Sequence, residues 1–329
     1  MSVLDSRKPT VRPGASAREP WPELPWRDWE PTISTLHMWT QIVGKVRLAL
    51  APPQNHWWHV TLYVSSRGLT TSAIPYQTRE IQVDLDLVDH RLEVRDSQNA
   101  GFALALRPMS VAHFYRDFMD GLRDMGVDVR ISTRPQEVVQ AIPFELDEEH
   151  ASYDQRHANL FWRGLLQADR AAKIFQTGFA GKASPVHFFW GSFDLAATRY
   201  SGRPAPLHHG GVPNCADWVM QEAYSREAIS VGWWGRSDPP GPSFYAYTYP
   251  EPDGYRSAAV RPSSAFFDQQ YGEYVLPYDA VRGLPDPDAA VLDFFQTTYE
   301  AGANLGGWDR RALEPARRPE RPPRSPWTG

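Results

Sequence analysis

The sequence predicts an α+β protein whose mostly antiparallel sheets pack against about four main helices. Four segments repeat apolar residues every three to four positions, which is the helical period. Several shorter segments alternate apolar and polar residues between turn residues, as the strands of an antiparallel meander do. With 329 residues and 42% hydrophobic composition, the chain can bury a substantial core.

The predicted helices differ in how clearly the sequence marks their ends. They span 32–50, 110–125, 154–180 and 287–304. The letters APP end the first, because a residue before proline is pushed out of helical geometry. Ser110 is a predicted N-cap of the second helix and Gly126 its stop. Pro287 suits the first turn of the last helix.

The predicted strands come mainly from two-residue alternation. Segment 80–106 is predicted to hold three consecutive strands of a meander. The aromatic segment 184–206 is predicted to be one strand, or a bent pair, followed by a loop, and 143–154 to be a connector. Further strands are predicted at 57–64, 127–132, 227–234 and 243–249.

The predicted domain organisation is one folded unit, 21–309, between two disordered ends. Residues 1–20 are rich in Arg, Pro and Ser without periodicity, and 310–329 form a basic, proline-rich tail. Within the folded unit, 32–132 and 154–305 share the order helix, proline-marked break, aromatic strand, further strands, helix. They could be two related α-β-meander-α halves, or the shared order could be coincidence.

Composition excludes several classes of partner. The formal net charge is −5, whereas nucleic-acid-binding domains usually carry a basic face. No apolar run approaches the roughly 20 residues that cross a bilayer, and the N-terminus has no apolar signal core. Cys215 is the only cysteine, so no intramolecular disulfide forms. We therefore expect a cytoplasmic protein without membrane or nucleic-acid partners; its cofactor and oligomeric state stay open.

The stretch NHWWHV carries the densest set of functional side chains. If 57–64 is a strand, Trp57, His59 and Tyr63 share one face, aromatic with polar tips, as in a pocket wall. Trp58 then belongs to the apolar core face. His56 lies on the opposite face from His59, which argues against one metal bound by both histidines.

Acid/base and anion-binding residues are predicted in the first half of the chain. His37, Gln41 and Lys45 follow at four-residue steps, so they share one helix face that meets either water or a wet cavity. His59 and His37 are the candidate proton-transfer residues. The hydroxyl-rich turn SSRGLTTS offers Arg67 to an anionic group, together with its threonines, Thr70 and Thr71.

The second half offers a matching set of side chains. Arg199, in TRYSGR, is a second candidate anion-binding residue. Trp190 and Asp194 share one strand face by alternation, and Tyr245 and Tyr247 share another, which is either a ligand cage or a plain sheet surface. The nearby candidate general bases, which the sequence cannot rank, are Glu227, Glu251 and Glu273.

No standard metal motif is present. The sequence lacks HExxH, CxxC and an EF-hand loop. A metal-dependent enzyme would need ligands from scattered positions, namely His37, His59 or His187 with an acid. We therefore assign no metal-ligating residues.

Five long stretches carry a resemblance to a known family: WPELPWRDWEPTISTLHMWTQIVGKVRLAL, PPQNHWWHVTLYVSSRGLTTSAIPY, PFELDEEHASYD, SPVHFFWGSFDLAATRYSGRPAP and FYAYTYPEP. Together they resemble a bacterial family catalogued as domain of unknown function 5996, from about Trp21 to Trp308. The resemblance implies a single bacterial domain unit, and it supplies no activity and no site residue.

From the residues, the leading hypothesis is an enzyme that acts on a small anionic organic molecule in an aromatic pocket. The alternatives are a non-catalytic module that binds or senses a small ligand, and the metal-dependent enzyme.

Overall fold

The protein combines helices with two six-stranded antiparallel sheets, so the α+β prediction is confirmed. The structure is a computed structural model that describes residues 20–235 and 239–315. The predicted disordered arm, except for its last residue, and the part of the predicted tail beyond residue 315 lie outside the described residues.

Long helices form where the sequence repeats apolar residues. The helices are α1 (Glu30–Leu50), α2 (Val111–Asp124), α3 (Gln155–Gln176), α4 (Asp217–Ala223), α5 (Tyr278–Arg282), α6 (Pro287–Leu305) and α7 (Arg310–Leu313). The four predicted helices correspond to α1, α2, α3 and α6. Their caps follow sequence rules, since Ser110, Asp154 and Asp286 each accept a hydrogen bond from the backbone N–H three residues later.

The first sheet contains the predicted meander. Its strands are β1 (Tyr63–Ser65), β2 (Gly68–Thr70), β3 (Ile74–Tyr76), β4 (Arg79–Asp86), β5 (Arg91–Asp96) and β6 (Gly101–Ala105). The order is β1-β2-β4-β5-β6, and β3 pairs with β4. The strands β4 to β6 confirm the prediction for 80–106.

The second sheet carries the predicted aromatic strands. Its strands are β7 (His187–Phe189), β8 (Asp194–Pro204), β9 (Arg226–Trp234), β10 (Ser243–Tyr249), β11 (Phe266–Asp268) and β12 (Glu273–Pro277). The order is β11-β12-β10-β9-β8-β7. The pair β7 and β8 confirms the bent-pair alternative for 184–206. Each half thus contributes one sheet, but the strand orders differ, and the hypothesis of two related halves stays open.

Two-residue alternation gives the second sheet one covered and one open face. On β9, Ile229 and Trp233 point to the helices: a Cβ added at Gly302 of α6 would lie 3.1 Å from Ile229, and one at Gly164 of α3 would lie 3.2 Å from Trp233. The intervening residues of β9 point the other way. No long helix among the described residues covers that second face, which forms the floor of the cavity described below.

The prediction of a strand at 57–64 is wrong. Residues Asn55–Val60 form a short 3-10 segment, with His56 and Trp57 in left-handed backbone conformation at φ 58° and 60°. The sheet begins only at Tyr63. Because the backbone turns here, the expected division of side chains between two strand faces does not occur.

Backbone pairing anchors this 3-10 segment against the second sheet. Leu62 N–H donates to Phe188 O at 2.9 Å and Phe188 N–H donates to Leu62 O at 2.8 Å. Arg47 of α1 donates through Nε to His59 O at 2.9 Å and through Nη1 to Thr71 O. The segment 55–60 is therefore held between α1 and β7, beside the open face.

Two further predictions need correction. Residues 127–132 form no strand. The predicted tail begins too early, because Arg310–Leu313 form α7, and Glu314 accepts a hydrogen bond from Tyr299 at 3.0 Å. In the described part of the chain, no helix is long and apolar enough to cross a membrane.

Candidate functional site

A cavity of about 550 Å³ lies on the open face of the second sheet. Its volume is in the range of pockets that hold small organic ligands. The floor consists of alternate residues of neighbouring strands: Asp194, Ala196, Thr198 and Tyr200 of β8, Ala228, Ser230 and Trp234 of β9, and Tyr245 and Tyr247 of β10.

Three segments outside the sheet form the walls of this cavity. The 3-10 segment contributes His56, Trp57 and Trp58. The irregular chain between α2 and α3 contributes Glu137. The short helix α4 forms the third wall and has no buried residue, although Trp218 on it contacts Trp57 with ring centroids 5.2 Å apart. The walls therefore come from irregular segments that the rigid sheet does not fix directly.

Aromatic rings surround the cavity in contact with each other. His56 and Tyr200 have ring centroids 4.4 Å apart, and Trp58 lies 6.1 Å from Tyr200. On the opposite side, Trp234 stacks on Tyr245 at 4.9 Å. Such rings present flat apolar faces to a ligand, and each face carries negative electrostatic potential.

The charged residues of the cavity are acidic. Asp194 accepts hydrogen bonds from Ser192 and from the buried Tyr245 hydroxyl. Glu137 and Glu273 also line the cavity, and its described lining residues include no lysine or arginine. Burial, and to a smaller extent these carboxylates, raise the pKa of the Tyr224 hydroxyl to about 12.

Glu137 occupies an unusual position in the cavity wall. The residue as a whole is exposed, but its carboxyl turns back onto Gly191, where an added Cβ would lie 2.2 Å from Oε1. Burial of the carboxyl by protein, and then the nearby Asp194, raise its pKa to about 7. A carboxyl with this pKa exchanges its proton near neutral pH.

The polar stripe of α1, formed by His37, Gln41 and Lys45, holds the loop that carries Glu137. The side-chain amide of Gln41 donates to Gln136 O and accepts from Gln136 N–H, each at 2.8 Å. His37 Nε2 bonds Gly191 O at 2.9 Å. None of the three side chains lines the 550 Å³ cavity, and Gln41 and His37 bond the backbone on both sides of the Glu137 carboxyl.

Several residues at this cavity have left-handed backbone conformations. His56, Trp57 and Glu137 line it with φ between 58° and 60°, and Phe193, at φ 58°, precedes Asp194. Each such conformation costs a non-glycine residue roughly 1–3 kcal/mol. Backbone strain of this kind tends to cluster at ligand sites, because packing must hold it in place.

His187 lies at the edge of the cavity floor and is 1% exposed. Its ring contacts Trp58 and Tyr63 at centroid distances of 5.8 Å and 5.6 Å. Neither ring nitrogen has a hydrogen-bond partner among the described residues, and burial lowers the pKa of His187 to about 3. This imidazole is therefore uncharged at physiological pH.

The structure brings five of the sequence-predicted site residues together at the cavity. They are Trp57, Trp190, Asp194, Tyr245 and Tyr247. Trp190 also donates its indole N–H to Val60 O at 2.8 Å, which ties the strand turn to the 3-10 segment. The tyrosine row of β10 thus faces a cavity rather than plain solvent.

The two candidate proton-transfer histidines lie elsewhere. His59 is buried behind the wall, where its Nδ1 accepts from Gln54 N–H at 3.1 Å. His37 packs on Phe193 at a centroid distance of 4.8 Å, and burial lowers its pKa to about 4. Tyr63 packs against His187 and also lies outside the cavity lining.

The candidate anion-binding residues have other partners. Arg67 pairs with Asp86 at 2.5 Å and with Asp89 at 2.8 Å. Arg199 points to the helix-covered face, 3.5 Å from the ring centroid of Phe175. None of these side chains lines the 550 Å³ cavity.

Lys45 and the threonines of the SSRGLTTS turn also serve the fold. Lys45 donates to Arg134 O at 2.9 Å and borders a separate cavity of about 330 Å³. Thr70 Oγ1 accepts from Ser72 N–H, and Thr71 Oγ1 accepts from Val83 N–H, each at 3.0 Å. The turn is therefore built by its own hydroxyls.

Several cavity residues have no signal in the sequence. Glu137 sits in an irregular loop, and Trp218 sits on a helix too short to show periodicity. Of the three candidate bases, only Glu273 lines the cavity; Glu227 pairs with Arg203, and Glu251 pairs with Arg256. Alternation along β9 would have indicated Ser230 and Trp234.

Potential metal ligands do not converge in the described ranges. Within 20–235 and 239–315, no group of three or more His, Cys, Asp or Glu side chains could hold a metal ion. His37, His59 and His187 each sit in a different packed environment, as described above.

The fold and the site define an α+β protein with an aromatic, acidic cavity on the open face of an antiparallel sheet. The chain belongs to a family of unknown function, DUF5996, whose sequence profile matches residues 21–315. The resemblance found in the sequence is thereby confirmed. Searches among curated proteins and among solved structures gave no match.

Proposed function

We propose that the protein binds a small organic cation, an ammonium-type group attached to an apolar body, in the 550 Å³ cavity. The observation that carries the proposal is the combination of aromatic faces with Glu137 in a lining that, as far as it is described, has no lysine or arginine. We also propose the bacterial cytoplasm as the location, since the single cysteine, Cys215, forms no intramolecular disulfide.

Aromatic faces favour a cation over a neutral molecule of the same shape. A cation over a Trp or Tyr ring gains about 0.5–2 kcal/mol, depending on how far it is desolvated. The 3-10 segment and α4 place Trp57 and Trp218 at one wall, while Tyr245 and Tyr247 form the floor. A ligand between them would meet several rings at once.

The charge of the cavity also argues against an anionic ligand. An anion needs arginine, lysine or a row of N–H donors, and Arg67 and Arg199 are engaged elsewhere. The ammonium of Lys182 lies 5.3 Å from the ring centroid of Tyr200, outside the cavity lining, and is already engaged there as a cation on an aromatic face. An anion would also approach the carboxyl of Glu137. We therefore replace the anionic substrate of the sequence-based hypothesis with a cationic ligand.

Three probes of similar size and different charge test this proposal. They are phenyltrimethylammonium, its neutral isostere tert-butylbenzene, and benzenesulfonate. Binding is followed by tryptophan fluorescence, because Trp57, Trp58, Trp190, Trp218 and Trp234 all line the cavity. We expect the cation to bind at least about tenfold more tightly than the isostere, which corresponds to about 1.4 kcal/mol from cation–π contacts.

The outcomes separate the functional classes. Equal affinity for the cation and the isostere, or tighter binding of benzenesulfonate, would refute the cationic ligand. Native mass spectrometry of the purified protein identifies a ligand that stays bound. Incubating that ligand with the protein separates an enzyme from a sensing or sequestering module: an enzyme converts the ligand to product, and a module leaves it unchanged.

A further inference from the structure

The carboxyl of Glu137 lines the cavity and makes no contact that stabilises the fold through a hydrogen bond or an ion pair within the described residues. Within residues 20–235 and 239–315, no hydrogen bond or ion pair reaches this carboxyl. Asp194, by contrast, already accepts hydrogen bonds from Ser192 and Tyr245. A carboxyl that lies in a cavity without a partner is costly to ionise, because the charge loses its hydration.

The surrounding structure holds this carboxyl in place. The backbone of Glu137 has φ 60°, and its N–H donates to Pro213 O at 2.7 Å. Both the backbone carbonyl and the backbone N–H of the preceding residue, Gln136, hydrogen-bond the side-chain amide of Gln41. Gln41 is fully buried in α1, so the position of the acid is set by a long, packed helix rather than by the loop alone.

We propose that Glu137 is the counter-ion of the bound cation and that it releases its proton to solvent when the cation binds. The proposal rests on the proposed function and adds the residue that meets the ligand's charge. Below neutral pH the carboxyl of the free protein carries a proton; on binding, its O–H bond breaks, the proton passes to buffer, and the carboxylate pairs with the cation. Gln41 is the residue that positions it.

Other ionisable groups face the same part of the cavity. Cys215 lies close enough for Glu137 to raise the pKa of its thiol, although burial is the larger cause. Asp194 acts on Glu137 directly. The described ionisable groups linked to Glu137 through the Cys215 thiol or the Tyr224 hydroxyl are Cys215, Asp217, Lys45, Tyr224, Tyr247 and Glu273. A variant of Glu137 itself is therefore needed to assign a released proton to this carboxyl.

Calorimetry with phenyltrimethylammonium measures the proton directly. This quaternary probe carries no ionisable proton, so any proton released comes from the protein. Titrations at pH 6 in two buffers of different ionisation enthalpy give the number released. With the pKa of Glu137 at about 7, we expect about 0.9 proton per cation, and an affinity about tenfold higher at pH 8 than at pH 6.

Two variants assign the proton and a third controls for the substitutions. Glu137→Gln keeps the shape of the side chain, and we expect it to bind the probe weakly, without proton release and without pH dependence. Gly191→Ala leaves the acid in place but puts a Cβ 2.2 Å from the present position of its Oε1. We expect it to displace the carboxyl and lower the affinity at pH 8 at least about threefold. Gly283→Ala, whose added Cβ would meet nothing within 4 Å, should match the wild type.

The positioning role of Gln41 has its own readout. Gln41→Ala removes both bonds to Gln136 and frees the loop, so the carboxyl becomes more hydrated. We expect the midpoint of the affinity-against-pH profile to move to lower pH, toward the ordinary range of a glutamate. A purely structural role would lower the thermal midpoint and leave the profile where it was.

The two proposals fail in different ways. If the probe binds and the wild type releases no proton, or if Glu137→Gln releases as many, Glu137 is not the counter-ion, while the cation site stands. If neither the wild type nor any variant binds the probe more tightly than tert-butylbenzene, the proposed function fails, and the counter-ion with it.

Discussion

The Oε1 atom of Glu137 packs on Gly191 so closely that a Cβ at that glycine would lie 2.2 Å away. The two residues are far apart in sequence and belong to an irregular loop and a strand turn. Both are tied to α1: Glu137 through the bonds of its neighbour Gln136 to Gln41, and Gly191 through the bond of its carbonyl to His37. The contact therefore joins the acid of the cavity to the rigid core of the protein.

The raised pKa of Glu137 predicts a stability change with pH. The folded protein holds a proton on this carboxyl up to about pH 7, whereas the unfolded chain loses it near pH 4.5. Its stabilising contribution is therefore present below about pH 4.5 and is lost as pH rises through about 7. We expect Glu137→Gln to gain stability over the wild type between pH 5 and pH 8, by less than for a fully buried acid because the residue is exposed.

Urea titrations of the wild type and of Glu137→Gln at the two pH values check this. Asp279→Asn, an exposed acid outside the cavity, serves as the control. A difference between wild type and Glu137→Gln that is the same at both pH values would contradict the raised pKa.

Buried His187 predicts the opposite pH dependence. Its pKa of about 3 in the folded protein lies below the 6.5 of the unfolded chain, so stability is lost as pH falls below about 6.5. Replacing the unpartnered imidazole with phenylalanine removes this loss. We expect His187→Phe to exceed the wild type by about 2 kcal/mol at pH 5 relative to pH 8, measured by chemical denaturation. No change in the difference would mean that the imidazole is hydrated.

Arg47 and Arg67 allow the contributions of a buried and an exposed arginine to the free energy of unfolding to be compared. Arg47 is buried and donates to two backbone carbonyls, His59 O in the 3-10 segment and Thr71 O just after β2. Hydrogen bonds to a charged group contribute about 1.5–3 kcal/mol each, so we expect Arg47→Met to lose about 3 kcal/mol or more. Arg67→Ala breaks an ion pair whose arginine is 45% exposed, and should cost about 1 kcal/mol or less.

Arg67→Ala also tests the sequence-based assignment of this residue to anion binding. In the structure Arg67 pairs with Asp86 and Asp89 and is not part of the cavity lining. The affinity of Arg67→Ala for phenyltrimethylammonium should therefore stay within about twofold of the wild type. This is well below the roughly tenfold difference expected between the cation and its neutral isostere. A large loss of affinity in a folded Arg67→Ala protein would return this residue to the site.

Trp218 predicts a binding effect without a stability effect. The side chain is 60% exposed and contacts Trp57 across the mouth of the cavity. Trp218→Ala removes one cation–π partner, worth about 0.5–1 kcal/mol at an exposed site, and should weaken binding of phenyltrimethylammonium about two- to fivefold. Leu207→Ala, at a residue 69% exposed, is the control. Equal affinities in the two variants would exclude Trp218 from the site.

Much of the fold could be predicted because its signals are local. The long helices repeat apolar residues, and capping residues such as Ser110 and Asp286 mark their starts. The short strands β1, β2, β3, β11 and β12 span three to five residues each, too few for alternation to show. The sequence of the 3-10 segment predicts a strand, because the left-handed conformations at His56 and Trp57 depend on tertiary packing rather than on local preference.

The site could be predicted only where regular strands carry it. Tyr245 and Tyr247 alternate along β10, and their common face is the cavity floor. The prediction that Arg199 binds an anionic group is not supported, because a charge in the sequence does not reveal its partner. In the structure Arg199 packs under α3 and α6. Glu137 could not be found at all, since its place depends on a loop that Gln41 holds from another part of the chain.

A crystal structure of the complex with phenyltrimethylammonium at pH 8 would locate the bound cation. We expect the quaternary nitrogen inside the 550 Å³ cavity, within about 6 Å of the ring centroids of Trp57 or Tyr245 and beside the carboxylate of Glu137. A probe bound outside this cavity, or bound inside it with the charged group turned away from Glu137 and the rings, would contradict this expectation.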